Sequence, residues 1–295
     1  MRPAFLGLGA IGRPMAIRLA AAHPSLTVWN RTASRSAAFA AEHKVKAAST
    51  PADAARGADV VITCFPTSHD VESVLLGPTG LIAGMAADTV LVDCTSGDPA
   101  TSRSIAARLA EHHIQYLDAP VSGGVVGAEK GTLTVMVGGD PAVLERVRPL
   151  LMSFGQKIVH CGAIGAGDAL KALNNALLAI HIWTTAEALV TLAKAGVDPK
   201  IALEVINLSS GRSNTSMNLF PERVLTRKFP RTFRLALLDK DIGIAAQVAR
   251  DNKVPAPMMQ LAAELFAMAH GQLGDVADHV EAAKIVEQWG GAEIK

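Results

Sequence analysis

A lysine and an asparagine interrupt the apolar stretch GAGDALKALNNALLAI, residues 165–180, and could do proton chemistry there. Lys171 and Asn175 are four residues apart, so they share one face of a helix and can reach the same cavity. Burial disfavours the charged form of lysine, and a second cation nearby would act in the same direction. Lys171 is therefore a candidate general acid and base, and Asn175 is a candidate to orient it or the substrate. A solvated surface lysine is the alternative, although an ammonium group among apolar neighbours is costly without partners.

A glycine-rich turn near the N-terminus has the spacing that binds a pyrophosphate. FLGLGAIGRPMA, residues 5–16, places Gly7, Gly9 and Gly12 in GxGxxG spacing, after an apolar run and before a helical pattern. Gly7 permits the tight turn, Gly9 lets the backbone approach the phosphates, and Gly12 allows close helix packing. The spacing alone is weak evidence, but its position between a strand and a helix predicts a dinucleotide site.

The next predicted strand ends in VWNRT, residues 28–32, without the acid that usually holds the ribose of NAD. Asn30, Arg31 and Thr32 supply hydrogen-bond donors instead, and a guanidinium group can pair with a 2′-phosphate. The segment predicts NADP, with NAD possible. A solvated loop arginine is the alternative for Arg31.

A serine followed by two glycines is the candidate anchor for a substrate carboxylate. Ser122, Gly123 and Gly124 follow a predicted strand, and glycines expose backbone N–H groups that can bind an anion. An ordinary Ser-Gly-Gly turn is the alternative. Ser122 is not expected to be a nucleophile, because the chain has no G-x-S-x-G elbow around it.

Residues at other strand ends complete the predicted cofactor site. Phe65 and Pro66 follow VVITC, and Thr95 and Ser96 follow TVLVD. The predicted cofactor contacts from these segments are Gly7, Leu8, Gly9, Ala10, Ile11, Gly12, Asn30, Arg31, Thr32, Phe65, Pro66, Asp70 and Thr95. The nine histidines form no cluster with ligand spacing, so no metal site is predicted.

The elements that position these residues fall into two groups. Up to about residue 160, short apolar runs alternate with helical stretches, which predicts an α/β domain with a parallel sheet covered by helices on both faces. Asp98-Pro99, Asp140-Pro141 and Asp198-Pro199 predict three helix starts. Beyond Gly167 only helical patterns remain. We therefore expect an NADP-binding domain over residues 1–161 and an all-helical domain for substrate and dimerisation over residues 162–295, beginning with a long interdomain helix.

Composition narrows the class of partner. The chain has 295 residues, 49% of them hydrophobic and 19% charged, with a formal net charge of +1. The weak charge excludes the basic surface of a nucleic-acid or membrane-surface protein and favours a small-molecule partner. Three cysteines without ligand spacing predict reduced thiols and a cytoplasmic location. No run of 18 apolar residues is uninterrupted, so no membrane span is expected.

Four segments together resemble the β-hydroxyacid dehydrogenase family. GLGAIGRPMA is similar to the family's cofactor turn, DAPVSGGVVGA at 118–128 to its substrate loop, GAIGAGDALKALNN at 162–175 to its catalytic helix, and LLDKDIGIA at 237–245 to its late Lys-Asp segment. Two departures, Ile11 in the first turn and Phe65 before Pro66, remove no chemical group.

The resemblance implies an N-terminal α/β Rossmann domain with a doubly wound parallel sheet and an all-helical C-terminal domain. It also implies reversible oxidation of a 3-hydroxy acid to its semialdehyde in a homodimer or homotetramer. It also implies that Lys240 closes over the nicotinamide and a small carboxylate substrate, with Asp241 paired to it or to a backbone donor; an adjacent surface pair is the alternative. Two other functions stay open: a reductase of a related imine or larger aldehyde acid, and a noncatalytic NADP-binding sensor.

Overall fold

A nine-stranded sheet organises the N-terminal half of the chain in the computed structural model, which describes all 295 residues. The strands are β1 Pro3–Leu6, β2 Thr27–Trp29, β3 Lys46–Ala47, β4 Val60–Thr63, β5 Val90–Asp93, β6 Gln115–Asp118, β7 Val121–Ser122, β8 Leu133–Gly138 and β9 Gly155–Gly162. The helices among them are α1 Gly12–Ala22, α2 Ala33–His43, α3 Pro51–Ala55, α4 Ser68–Leu75, α5 Leu81–Gly84, α6 Pro99–Ala110, α7 Gly124–Lys130 and α8 Pro141–Leu151. The predicted Rossmann-type domain is confirmed.

The strand order is β3-β2-β1-β4-β5-β6-β8-β7, with β9 paired to β8. The chain first winds from β1 toward β3 and then crosses to the other side of β1 at β4. Open α/β sheets bind ligands at this reversal, outside the carboxyl ends of the strands. The turn after β1 and the loop after β4 therefore flank the expected cofactor crevice.

Helices cover both faces of the sheet, as the continuously apolar strands predict. Every residue of β1, β4 and β5 is buried. Phe5 and Ile62 pack in one hydrophobic cluster, whereas their neighbours Leu6 and Val61 pack in another. Because successive strand residues point to opposite faces, the two clusters lie on the two sides of the sheet.

Two strands, β8 and β9, depart from the parallel sheet that the sequence predicts. β8 runs antiparallel to β6 and β7 and parallel to β9. β7 continues in the direction of β6, and the chain then turns back at the seven-residue α7. Strands β8 and β9 consequently extend the sheet in the opposite direction to the other strands.

The three predicted helix starts are confirmed. The side chains of Asp98, Asp140 and Asp198 each accept a hydrogen bond from a backbone N–H in the first turn of α6, α8 and the later helix α10, Pro199–Leu208. A proline occupies the first turn in each case, where its missing N–H costs nothing.

The remaining elements are helical: α9 Ala166–Lys194, α10, a π-helix over Thr215–Val224, α11 Leu235–Asp251, α12 Pro257–Leu273, a 3₁₀ helix over His279–Ala282 and α13 Ala283–Gly290. The chain divides into two compact units, Met1–Lys171 and Ala172–Lys295. The helix α9 begins in the first unit and ends in the second. The domain boundary between residues 161 and 162 stays a prediction.

The helix α9 is long and apolar enough to cross a membrane by length and composition. Its residues Ala179, Ile182, Trp183 and Leu189, however, belong to the buried hydrophobic cluster of the second unit. Trp183 packs against Phe266 of α12 with ring centroids 5.9 Å apart. We therefore interpret α9 as a core helix.

Candidate active-site residues

The glycine turn after β1 has the geometry of a phosphate-binding turn. Gly7 has φ +104°, and a Cβ atom there would collide with the carbonyl oxygen of Cys64. A Cβ atom on Gly12 would collide with the carbonyl oxygen of Gly7, whereas a Cβ atom on Gly9 would meet nothing within 4 Å. Gly7 and Gly12 are therefore needed for close packing of the backbone, whereas Gly9 leaves open space beside it.

The start of α1 is suited to an anion. Ile11 occupies the N-cap position, and no side chain caps the helix there. The backbone N–H groups of a helix N-terminus, together with the helix dipole, favour negative charge. With the open space at Gly9, these residues fit the pyrophosphate of a nicotinamide dinucleotide.

The end of β2 is bonded directly to this turn. The side-chain oxygen of Asn30 accepts a hydrogen bond of 2.9 Å from the backbone N–H of Leu8, and its amide group donates to the carbonyl oxygen of Thr32. Asn30 therefore holds the glycine turn and the NRT segment in register. The N–H of Leu8, one of the predicted cofactor residues, is used in this bond.

A cleft beside the turn collects many of the predicted cofactor residues. It is lined by Gly7, Gly9, Asn30, Arg31, Thr32, Phe65, Pro66 and Asp70, together with Trp29, Arg35, Cys64, Ser73 and Val74. The remaining predicted members, Leu8, Ala10, Ile11, Gly12 and Thr95, lie outside its lining. Sequence reasoning missed Arg35; its position four residues after Arg31, in the first turn of α2, is the signal that could have found it.

Within the cleft, the Arg31 Nη1 atom lies 3.1 Å from the Asp70 Oδ1 atom. The arginine side chain is 80% exposed and that of the aspartate 21%. Asp70 also accepts a 2.7 Å hydrogen bond from the hydroxyl of Thr67. The acid is therefore held in place, whereas the guanidinium group extends into solvent.

Thr95 is buried just after the end of β5. Its hydroxyl accepts a 3.0 Å hydrogen bond from the N–H of Phe65, which joins the loops after β4 and β5.

In the Ser-Gly-Gly segment, Ser122 ends β7, and Gly123 and Gly124 have φ +132° and +64°. Such backbone conformations favour glycine, and they leave open space at Gly124, where a Cβ atom would meet nothing within 4 Å.

Lys171 lies in α9 and its side chain is buried, with a relative exposure of 9%. One helical turn earlier, Asp168 accepts hydrogen bonds from the N–H of Gly97, at 3.0 Å, and from the hydroxyl of Ser102, at 2.6 Å. Asp118, at the end of β6, accepts hydrogen bonds from the N–H groups of Gly165 and Asp168, at 2.7 and 3.0 Å. These bonds fix the start of the lysine-bearing helix to the strand ends.

Burial changes the acidity of these carboxyl groups. Desolvation, followed by the charge of Asp118, raises the pKa of Asp168 to about 8. Desolvation also raises the pKa of Asp118 and of Asp93, which accepts a 2.8 Å hydrogen bond from Thr63. The carboxyl group of Asp168 is thus largely neutral at pH 7. Its spacing from Lys171 is the one sequence signal that could have indicated this residue.

In the second unit, Asn175, Lys240 and Asp241 form one network. The Asn175 amide donates a 2.6 Å hydrogen bond to Asp241 Oδ2, and Lys240 Nζ lies 2.9 Å from Asp241 Oδ1. Asp241 is buried, with 2% relative exposure. The neighbouring Asn174 donates to the side-chain oxygen of Asn175 at 3.3 Å. Asn175 is consequently oriented from both sides.

No group of three or more His, Cys, Asp or Glu side chains has a geometry that could hold a metal ion. The first unit offers a dinucleotide cleft and a buried amine, and the second unit an amide–carboxylate network.

Two family models together match almost the whole chain. The model described as the NAD binding domain of 6-phosphogluconate dehydrogenase matches residues 2–162. The model described as the NAD-binding domain of NADP-dependent 3-hydroxyisobutyrate dehydrogenase matches residues 165–286.

Two curated relatives are similar over nearly their full lengths. The chain is 37% identical to 2-(hydroxymethyl)glutarate dehydrogenase from Eubacterium barkeri, over 98% of this chain and 96% of that protein. It is 38% identical to NAD-dependent L-serine dehydrogenase from Pseudomonas aeruginosa, over 89% of this chain and 90% of that protein.

Two solved structures share the fold over 96% of this chain. A Mycobacterium tuberculosis 3-hydroxyisobutyrate dehydrogenase with L-serine has a TM-score of 0.88 and 33% identity, covering 98% of that chain. Psf3 in complex with NADP+ and 2-OPP has a TM-score of 0.84 and 26% identity, covering 99% of that chain.

Proposed function

Because the chain belongs to the β-hydroxyacid dehydrogenase family, we propose that it interconverts a small 3-hydroxy acid and its semialdehyde, with NADP(H) preferred. The chain is an NAD(P)-dependent hydroxyacid dehydrogenase of the 3-hydroxyisobutyrate dehydrogenase type. The observation that carries the proposal is the buried Lys171, four residues before the hydrogen-bonded Asn175 on α9.

The relatives' substrates suggest a common chemical core. 2-(Hydroxymethyl)glutarate, L-serine and 3-hydroxyisobutyrate are all 3-hydroxypropanoates with a substituent on C2. In each, a primary alcohol lies two carbons from a carboxylate. We propose the same core for the substrate of this chain, with the C2 substituent as the variable group; tartronate semialdehyde and succinic semialdehyde remain in the range to be tested.

Lys171 is the proposed general acid and base. When bound, the nicotinamide supplies the hydride in reduction and accepts it in oxidation. In reduction the Lys171 ammonium gives a proton to the carbonyl oxygen, and the product is the alcohol. In oxidation the neutral amine removes the hydroxyl proton as the C–H bond breaks. One amine serves both steps, because its charged form donates a proton and its neutral form accepts one.

The substrate carboxylate is proposed to bind at Ser122, Gly123 and Gly124. Gly123 and Gly124 are exposed, and the open space at Gly124 leaves room for a ligand. Asn175, oriented by Asp241, is proposed to hydrogen-bond the substrate or Lys171, and Lys240 to close over the nicotinamide.

The NADP preference rests on Arg31. Its guanidinium group is 80% exposed at the end of β2, and Arg35 lines the same cleft. Two guanidinium groups can bind the 2′-phosphate in charge-assisted hydrogen bonds.

A panel of substrates tests the proposal. NADPH oxidation is measured with methylmalonate semialdehyde, tartronate semialdehyde, succinic semialdehyde and glyoxylate, and NADP+ reduction with 3-hydroxyisobutyrate and L-serine. Turnover that is fastest with substrates carrying the 3-hydroxypropanoate core, or its aldehyde, is the expected result. Tight NADP binding without turnover of any of them would instead support the noncatalytic sensor. The cytoplasmic location and the homodimer or homotetramer stay predictions.

A further inference from the structure

We infer that Asp70 is a cofactor-selectivity residue: it opposes the 2′-phosphate of NADP, favours the ribose 2′-hydroxyl of NAD, and so lets this chain use both cofactors. The inference rests on the proposed function, since it concerns the cleft that Arg31 and Arg35 line. It adds a second, acidic determinant to that cleft.

Asp70 lies beside Arg31 in the cleft. Its Oδ1 atom lies 3.1 Å from Arg31 Nη1, and both residues line the cleft beside Gly7 and Gly9. A phosphate or hydroxyl group that contacts Arg31 there therefore also approaches the carboxylate.

The two side chains of this pair differ in how firmly they are held. Asp70 accepts the hydrogen bond of 2.7 Å from the hydroxyl of Thr67, and its own backbone N–H donates to the same hydroxyl at 3.2 Å. The Arg31 side chain, by contrast, is 80% exposed. When a ligand competes for the pair, the arginine can turn while the acid stays.

The charge of the ligand decides how it interacts with this fixed acid. The 2′-phosphate of NADP is an anion and must draw Arg31 away from Asp70 while remaining near a fixed negative charge. A ribose 2′-hydroxyl is neutral and can donate a hydrogen bond to a carboxylate, which is how dinucleotide folds ordinarily hold NAD. The acid absent from the end of β2, where VWNRT has Asn30 and Arg31, is thus supplied by α4.

The experiment compares the full-length wild-type protein with four variants: Asp70→Asn, Asp70→Ser, Arg31→Ala and the Arg31→Ala/Asp70→Asn double variant. The dissociation constants of NADPH and NADH are measured by fluorescence titration without substrate. Asp53→Asn is the matched control, because Asp53 forms a similar exposed ion pair with Arg56, at 2.8 Å, and does not line the cleft. Thermal unfolding verifies that each variant is folded.

Both Asp70 variants should raise the NADPH-over-NADH affinity ratio about tenfold, the size expected for one hydrogen bond to a charged group. Arg31→Ala should lower the ratio, the double variant should fall between, and Asp53→Asn should leave it unchanged. An unchanged or lowered ratio in the folded Asp70 variants would overturn the inference while leaving the dehydrogenase proposal in place. Failure of the wild type to bind either cofactor would overturn the proposed function, and the inference with it.

Discussion

The hydroxyl of Ser102 and the carboxyl group of Asp168 lie 2.6 Å apart in the core of the first unit, where both residues are buried. Asp118 and Asp93 contribute further negative charge to this region, and Tyr116 also hydrogen-bonds Ser102, at 3.2 Å. A neutral Asp168 carboxyl group adds no further charge here and still accepts hydrogen bonds from the Ser102 hydroxyl and the Gly97 N–H. The start of α9 is therefore held by a neutral acid.

Stability should depend on pH through Asp168. Its pKa is about 8 in the folded protein and 3.8 ordinarily, so the folded state holds one more proton between these values. Stability from this group is complete below pH of about 4 and is lost as pH rises toward 8. Asp168→Asn keeps the shape of the side chain but cannot titrate. The stability of this variant relative to wild type should therefore increase from pH 5 to pH 8, as measured by urea unfolding. Parallel pH profiles for the two proteins would contradict the neutral acid.

Turnover should depend on Lys171. Lys171→Ala removes the proposed proton donor, and Lys171 does not line the dinucleotide cleft, so kcat should fall by about a hundredfold to ten-thousandfold while NADPH affinity changes little. Lys194→Ala, at the end of the same helix, is the control and should be unaffected. Wild-type turnover in Lys171→Ala would remove its assigned role.

Two alanine substitutions should separate folding from cofactor binding in the glycine turn. In Gly9→Ala the new methyl group meets nothing within 4 Å, so the melting temperature should hold while NADPH affinity drops at least about tenfold. In Gly12→Ala the methyl group meets the carbonyl oxygen of Gly7, so the protein itself should be destabilised. Calorimetry and fluorescence titration measure the two effects. Equal cofactor affinity in Gly9→Ala and wild type would contradict the pyrophosphate assignment.

The carboxylate of Asp241 should support both stability and turnover. Asp241→Ala removes the buried carboxylate that Asn175 and Lys240 both contact, so the free energy of unfolding should fall by about 1–3 kcal/mol and kcat should also drop. Asp251→Ala, at the exposed end of α11, should change neither by a comparable amount. Chemical denaturation and steady-state kinetics give the comparison; equal effects of the two substitutions would argue against the network.

Local patterns predicted much of this molecule. The apolar runs of β1, β4 and β5, the glycine turn and the Asp-Pro helix starts depend on residues close together in the chain, so their spacing is informative. The reversed direction of β8 depends on where the chain turns back after β7, which periodicity does not encode.

The side chains that position the proposed catalytic residues were harder to predict than the catalytic residues themselves. Lys171 and Asn175 are recognisable as polar residues in an apolar helix, whereas Asp168 matters because the fold brings it to Ser102 and Gly97, residues 66 and 71 positions away. The Arg31–Asp70 pair likewise joins two segments 39 residues apart. Such pairings need the tertiary structure.

The continuity of α9 across the two units has a mechanical consequence. Lys171 is the last residue of the first unit, and Asn175 lies in the second, yet unbroken helix joins them. At 1.5 Å of rise per residue, the axial offset between the amine-bearing and amide-bearing positions is about 6 Å. The hydrogen-bonded helical turn therefore sets the spacing of these two groups along the axis of α9.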